Sequence, residues 1–182
     1  MPSSKRTHPS RTALRPGLNS VPYPPQRPNN TNLHLRIPPL AVTWLAGGLI
    51  WLAARLAPTV HWQFSSRAEW AAVFALLGVT CSLLGVAAFR RARTTVNPLT
   101  PDASTALVTT GIYRVTRNPM YLGFLLLLLA EIVWLANPAA LLVVPAFVLY
   151  LNRYQISPEE GALRTRFGSE YFSYAAQVRR WI

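Results

Sequence analysis

Three stretches of this chain combine reactive side chains with tight spacing. The first reads Gly111-Ile112-Tyr113-Arg114 and continues, after two residues, as Arg117-Asn118-Pro119-Met120-Tyr121-Leu122-Gly123. The second carries Arg153, Gln155 and then Ser157-Pro158-Glu159-Glu160. The third holds Phe167-Gly168, Glu170-Tyr171, Tyr174 and finally Val178-Arg179-Arg180-Trp181. Paired carboxylates neutralise an ammonium or accept hydrogen bonds from sugar hydroxyls. Tyrosine and methionine pack a flat ring or a cationic sulfur. Arginine pairs with a carboxylate. A ligand with an amino-acid end, a ribose and a sulfonium meets all of these groups, although the spacing alone does not single it out. Other chemistries lack their residues. There is no Gly-rich dinucleotide turn, no phosphate loop and no His-pair motif. His8, His34 and His61 are scattered, and Cys81 stands alone inside an apolar run, so no metal site is expected.

The elements that must position these stretches are apolar. Hydrophobic residues make up 51% of the 182-residue chain and charged residues only 13%. The net charge is +12, almost all of it arginine flanking the apolar runs, which favours an anionic membrane face over nucleic acid. The first run spans Pro39 to Pro58 and the second Ala68 to Phe89. About 20 apolar residues cross the hydrocarbon core. Two shorter runs, Met120 to Ala136 and Ala139 to about Ile156, are joined by Asn137-Pro138, a turn signal, and form a tight helical hairpin. The fold class expected is therefore all-α: a polytopic membrane protein with about four transmembrane helices, including that C-terminal hairpin, followed by short cytosolic helices. Ser157, Pro158 and the two glutamates read as the start of the first of these, with Ser157 as cap. Gly168 breaks it, and a last helix runs from Glu170 to Arg179. Trp62 and Trp70 suit an interfacial belt.

The domain division follows. Residues 1–37 form a disordered, Pro-rich basic tail; its acid-free, Arg-containing composition also fits a transit peptide. Residues 38–94 form the first two spans, and residues 95–182 the region with the reactive stretches. Lys5, Arg6, Arg11, Arg15, Arg27 and Arg36 precede the first span, whereas Arg67 is the clear charge of the loop after it. Arg90, Arg91, Arg93, Arg114 and Arg117 follow the second span. With four crossings, both termini and the connector fall on the cytosolic side. Arginine far outnumbers lysine, which points to a GC-rich bacterial genome and hence to the plasma membrane.

The first stretch resembles the Gly-x-Tyr and Arg-His-Pro-x-Tyr-x-Gly motifs of the isoprenylcysteine carboxyl methyltransferase family. The Glu159-Glu160 pair, Phe167-Gly168-x-Glu170-Tyr171-x-x-Tyr174 and the Val178–Trp181 end resemble its C-terminal signature. The resemblance covers about residues 95–182. It implies S-adenosylmethionine as cofactor, held at positions matching Thr105, Ala106, Leu107, Val108, Tyr113, Asn118, Pro119, Met120, Tyr121 and Glu159. It implies Arg117, Asn118 and Tyr121 as the residues at the reaction centre. The acceptor would be lipid-like or an isoprenylcysteine carboxyl group, met by Gln155 and Arg153, with membrane lipids as the partners and no nucleic acid. Two positions depart from the family. Its histidine is Asn118 here, which can exchange hydrogen bonds but cannot relay a proton. An arginine of its substrate site is Gln155 here, and arginine suits a carboxylate better.

Other readings compete. The wider superfamily includes phospholipid N-methyltransferases and some membrane sterol reductases, which makes a nicotinamide-dependent membrane reductase an alternative, and a small membrane adaptor with a basic tail is another. Tyr113 and Tyr121 also suit an interfacial belt, and Arg179, Arg180 and Trp181 suit a membrane-surface anchor. Glu131 is an acid inside an apolar run, which is functional by default, but its place near Asn137 favours a structural bond within the hairpin.

Overall fold

The computed structural model describes residues 37–60, 62–63, 65–92 and 106–182. The basic tail, most of the connector and Thr105 lie outside the described residues. Among the described residues five α-helices follow in order: α1 (Pro39–Leu56), α2 (Arg67–Arg91), α3 (Pro119–Leu135), α4 (Val143–Leu151) and α5 (Ser157–Gln177). Short 3-10 turns occupy Gly111–Arg114, ahead of α3, and Pro138–Leu142, ahead of α4. The chain is a polytopic, all-helical membrane protein. α1, α2 and the continuous helical stretch Pro138–Gln177 are long and apolar enough to cross a membrane, and α3 is a shorter apolar helix. Trp44, Leu45, Leu56, Leu76, Leu83 and Leu142 are exposed on these helices, a surface suited to lipid and not to water.

Local sequence explains the boundaries. Pro39 begins α1 and Pro119 begins α3, where a missing N–H costs nothing. Arg55 closes α1 and lies over the Trp51 ring at 5.0 Å. α3 stops where Ala136 turns left-handed (φ 50°), an unusual conformation for a residue with a Cβ. Asn137 holds that turn. Its Oδ1 accepts from the Ala139 N–H at 3.0 Å, and its Nδ2 donates to the Ala57 carbonyl at 2.9 Å. The Asn-Pro signal thus does more than turn the chain, because it also ties the hairpin to the end of α1, where the Ala57 carbonyl accepts from the Val60 N–H as well.

α5 departs from expectation. Ser157 does not cap a new helix. Its hydroxyl donates back to the Asn152 carbonyl at 2.7 Å, and the helix runs through it by a wide π-type turn over Asn152–Ile156. Glu159 and Glu160 therefore do not sit at a free positive helix end, since the preceding turns already use those N–H groups. The kink at Gly168 is present (φ 48°, ψ −123°), but the helix resumes and ends at Gln177, two residues before Arg179.

Packing is close rather than merely apolar. One core joins α1 (Val42, Ala46, Ile50), α3 (Tyr121, Leu128, Ile132) and α4 (Phe147, Leu151). On the other side of α3, α2 approaches until backbones touch. A Cβ on Gly78 would stand 2.8 Å from the Gly123 carbonyl oxygen, and one on Gly123 would stand 2.1 Å from Ser82 Oγ. In lipid there is no hydrophobic gain from pairing two apolar helices, so such van der Waals contact is what holds them. Gly123→Ala should lower stability by about 1–3 kcal/mol, the usual cost of overpacking. Gly48→Ala, which meets nothing within 4 Å, should be neutral or stabilising by up to about 1 kcal/mol. Unfolding curves of the two variants in mixed micelles, followed by helical circular dichroism, check this; equal losses would refute the close-contact account.

Candidate active site

The reactive stretches meet at one end of the bundle, where α3 begins and α4 passes into α5. The turn before α3 lies against the C-terminal segment. The Arg117 N–H donates to the Arg179 carbonyl at 3.0 Å, and Asn118 Nδ2 donates to the Arg180 carbonyl at 2.9 Å. The fully buried Thr116 adds its hydroxyl to the same carbonyl at 3.3 Å. These bonds form because Val178 is extended (φ −121°, ψ 131°), which turns the last residues back across the motif.

Glu160 is the electrostatic centre of this end. Its residue is 4% exposed. Arg117 Nη2 lies 2.9 Å from Oε1, while Arg180 Nη2 and Arg164 Nη2 lie 2.6 Å and 3.3 Å from Oε2. Arg117 Nη1 also donates to the Ala175 and Val178 carbonyls at 2.9 Å and 3.1 Å. Asn152 Oδ1 in the π-type turn accepts from Trp181 Nε1 at 3.1 Å. Arg180 and Trp181 are therefore tied to Glu160 and to the π-type turn while remaining partly exposed.

Glu159 behaves differently. It is only partly buried, and Tyr121 donates its phenolic hydroxyl to Oε1. No arginine or lysine pairs with it among the described residues. Tyr113 stands nearby, buried, edge-on to Phe89 of α2 with ring centroids 5.5 Å apart. Its carbonyl accepts from the Tyr174 hydroxyl at 2.7 Å. Burial pushes the Tyr113 phenol well above the ordinary tyrosine range, and Tyr174 and Glu159 add to the shift. Tyr113 is thus a neutral group throughout the physiological range. Val108 is buried in a cluster with Tyr113 and Ala88, while Ala106 and Leu107 are partly buried. Pro119 is buried, and Met120 lies against α2, where a Cβ on Gly85 would stand 3.0 Å from Met120 Cγ.

Gln155 and Arg153 lie in different surroundings although both belong to the π-type turn. Arg153 is exposed, whereas Gln155 is 0% exposed and donates from Nε2 to the Ile37 carbonyl at 2.7 Å, ahead of α1. Gln155 Oε1 is buried without a hydrogen-bond partner among the described residues. Sequence reasoning missed the role of Glu160, since two adjacent glutamates look alike until a helix faces them different ways. It also missed Thr116 and Asn152, small polar residues with no motif of their own. The described residues hold no cluster of metal-ligating side chains.

Comparison with known proteins adds an independent line. Residues 67–170 match the phospholipid methyltransferase family. An uncharacterized protein of Haemophilus influenzae is 49% identical over 63 residues, which is 35% of this chain and all of that protein. A probable protein-S-isoprenylcysteine O-methyltransferase of Oryza sativa subsp. indica is 36% identical over 109 residues, 58% of this chain and 56% of the relative. Protein-S-isoprenylcysteine O-methyltransferase B of Arabidopsis thaliana is 36% identical over 72 residues, 40% of this chain and 36% of the relative. The chain thus spans about half or less of the plant enzymes it matches. No solved structure matches.

The unequal burial around Glu160 makes a stability prediction. Glu160→Ala leaves Arg117 and Arg180 facing each other without a carboxylate and should cost about 3 kcal/mol. Arg164 is half exposed at its side chain, so Arg164→Ala should cost no more than about 0.5 kcal/mol. Denaturation midpoints in micelles, with protease cleavage after Arg179 as a local probe, measure both. A Glu160 variant as stable and as resistant as the parent chain would refute the assignment.

Proposed function

The chain belongs to the phospholipid methyltransferase family, and from that membership we propose that it transfers a methyl group from S-adenosylmethionine to a lipid-like acceptor at the membrane surface. The observation that carries this reading is the division of labour within the glutamate pair. Glu160 has both oxygens taken by guanidinium groups. Glu159 has one oxygen bonded by Tyr121 and no cation beside it among the described residues. A partly buried carboxylate between aromatic side chains calls for a cationic or hydroxyl-bearing ligand. The residues present fit S-adenosylmethionine on that ground.

In this reading Ala106, Leu107, Val108, Tyr113, Asn118, Pro119, Met120, Tyr121 and Glu159 hold the cofactor, with Thr105 preceding them. When bound, the cofactor supplies an electrophilic methyl group on a positively charged sulfur. Glu159 and the tyrosine rings balance the positive charge of the ligand. Tyr121 fixes the carboxylate, and its own position is fixed because its ring is buried in the core with α1 and α4. Arg117 acts as a positioning residue, since its side chain bonds Glu160 and the C-terminal backbone, and Asn118 is oriented toward the cofactor by its bond to the Arg180 carbonyl. No residue here needs to serve as a strong base for a carboxylate acceptor, which is already nucleophilic. Alignment and exclusion of water are then the main contributions. The acceptor, a polar head on an apolar tail such as an isoprenylcysteine carboxyl group, enters from the bilayer, with Gln155 and Arg153 on its side of the site.

Calorimetric titration of the purified full-length protein tests the reading. Saturable binding of S-adenosylmethionine is expected, weakened roughly tenfold or more in Glu159→Ala and in Tyr121→Ala by loss of a charge-assisted bond. Binding of NADPH with no S-adenosylmethionine signal would replace this proposal with a reductase. Binding of neither ligand would leave a non-enzymatic membrane protein.

A further inference from the structure

The polar groups of the turn ahead of α3 converge on one carbonyl, that of Arg180. It accepts from Asn118 Nδ2 at 2.9 Å and from the Thr116 hydroxyl at 3.3 Å. Thr116 Oγ1 accepts in turn from the Asn118 N–H at 3.1 Å. The main chain and the side chain of Asn118 are thus tied to the same point. An amide whose nitrogen is spent on a carbonyl presents its oxygen on the other side. Asn118 Oδ1 takes no hydrogen bond among the described residues. It lies about one turn ahead of Tyr121, at the start of α3. Asn118 and Thr116 are both buried, so water does not compete for these bonds.

The Arg180 carbonyl is itself held from two sides. Its peptide group joins Arg180 to Trp181, and both flanking side chains are anchored. Arg180 Nη2 lies 2.6 Å from Glu160 Oε2, and Arg180 Nε donates to Glu160 Oε1 at 3.2 Å. Trp181 Nε1 donates to Asn152 Oδ1 at 3.1 Å, in the π-type turn. The Trp181 ring packs against the core shared by α1, α3 and α4. A peptide group is planar, so anchors on both of its residues fix which way its carbonyl faces. The arginine anchor also joins α5 to the turn ahead of α3. The indole anchor binds a neutral side chain and joins no charged group, which leaves its N–H to be explained.

We propose that Trp181 is a positioning residue for the cofactor: its indole N–H, held by Asn152, fixes the Arg180 carbonyl and through it sets Asn118 with the amide oxygen toward the ligand. The proposal rests on the S-adenosylmethionine reading of the site. That ligand carries N–H and O–H donors on its adenine, its ribose and its amino-acid end. An unanchored amide offers its nitrogen as readily as its oxygen, and the bond to Arg180 removes the wrong choice. An oxygen fixed in advance meets a donor without the cost of ordering a side chain. Asn152 is also the neighbour of Arg153 in the π-type turn, so the cofactor side and the acceptor side of the site share one frame.

A double-mutant cycle tests this, read by calorimetric titration of the full-length protein in micelles with S-adenosylmethionine. Trp181→Phe keeps a ring against the core and removes the N–H. It should weaken binding about fivefold, the worth of one neutral hydrogen bond. Asn118→Ala should weaken binding by roughly tenfold. In the Asn118→Ala background Trp181→Phe should change affinity no further, because the group through which it acts is gone. A merely structural role would give the same loss in both backgrounds. Asn152 probes the same bond from its other end, should Trp181→Phe not fold. Asn152→Ala should lose about fivefold in affinity, and Asn152→Asp, which keeps an acceptor oxygen, should restore the parental value. Helical circular dichroism reports that each variant keeps its fold. Parental affinity in Trp181→Phe, or an undiminished loss in the Asn118→Ala background, would overturn the proposal and leave the cofactor reading standing. Absence of saturable S-adenosylmethionine binding in the parent chain would overturn both.

Discussion

Glu160 takes the guanidinium groups of Arg117, Arg164 and Arg180 onto one buried carboxylate. Through Arg117 it ties the turn ahead of α3 to α5. Through Arg180 it ties the last residues of the chain to the same point. A buried charge of this kind is not a simple gain in stability, because desolvation offsets much of the attraction. Its effect is to admit one arrangement of three segments that are far apart in sequence. The neighbouring Glu159 is then held at the Tyr121 hydroxyl by the geometry of the same helix. The turn ahead of α3 and the C-terminal segment take their positions from this cluster, while the rings of Tyr121 and Tyr113 are held by the packing around them.

The rest of the bundle solves a different problem. In a bilayer the helices have no hydrophobic reason to associate, since lipid is as apolar as their side chains. Contact at short range replaces that driving force. Gly78, Gly123 and Ser82 let α2 and α3 meet backbone to backbone, while bulkier side chains on α1, α3 and α4 interlock on the other side. The close contact that joins α2 to α3 lies near the candidate active site, while Glu131 toward the far end of α3 lies against Gly47 of α1.

The two glutamates show how neighbouring identical residues acquire separate roles. A rotation of 100° per residue on a helix turns one inward to the arginines and the other toward the aromatic residues. Glu160 has both oxygens in ion pairs, whereas Glu159 has Oε1 bonded by Tyr121 and no cation beside it among the described residues. The π-type turn before them adds a residue to the helix and sets that rotation. It also buries Gln155, whose amide reaches the Ile37 carbonyl ahead of α1. A bulge of this type is frequent where a helix carries function.

The sequence by itself determined the membrane fold, the limits of α1, α2 and α3, the Asn137-Pro138 turn and the kink at Gly168. These depend on local signals: apolar length, proline, glycine and asparagine act over a few residues. The motif residues Tyr113, Arg117, Tyr121 and Glu159 were also legible as a group from their types and spacing. Only the tertiary structure decided what each one touches. Ser157 reads as a cap, yet the wide turn continues the helix through it. Arg180 and Trp181 read as a surface anchor, yet they are tied to Glu160 and to Asn152 of the π-type turn. Glu131 reads as a bond within the hairpin, yet its carboxyl group lies against Gly47 of α1. The physical reason is common to all three: a side chain's partner is set by long-range packing, and a charge or donor goes to whichever buried group would otherwise lack one.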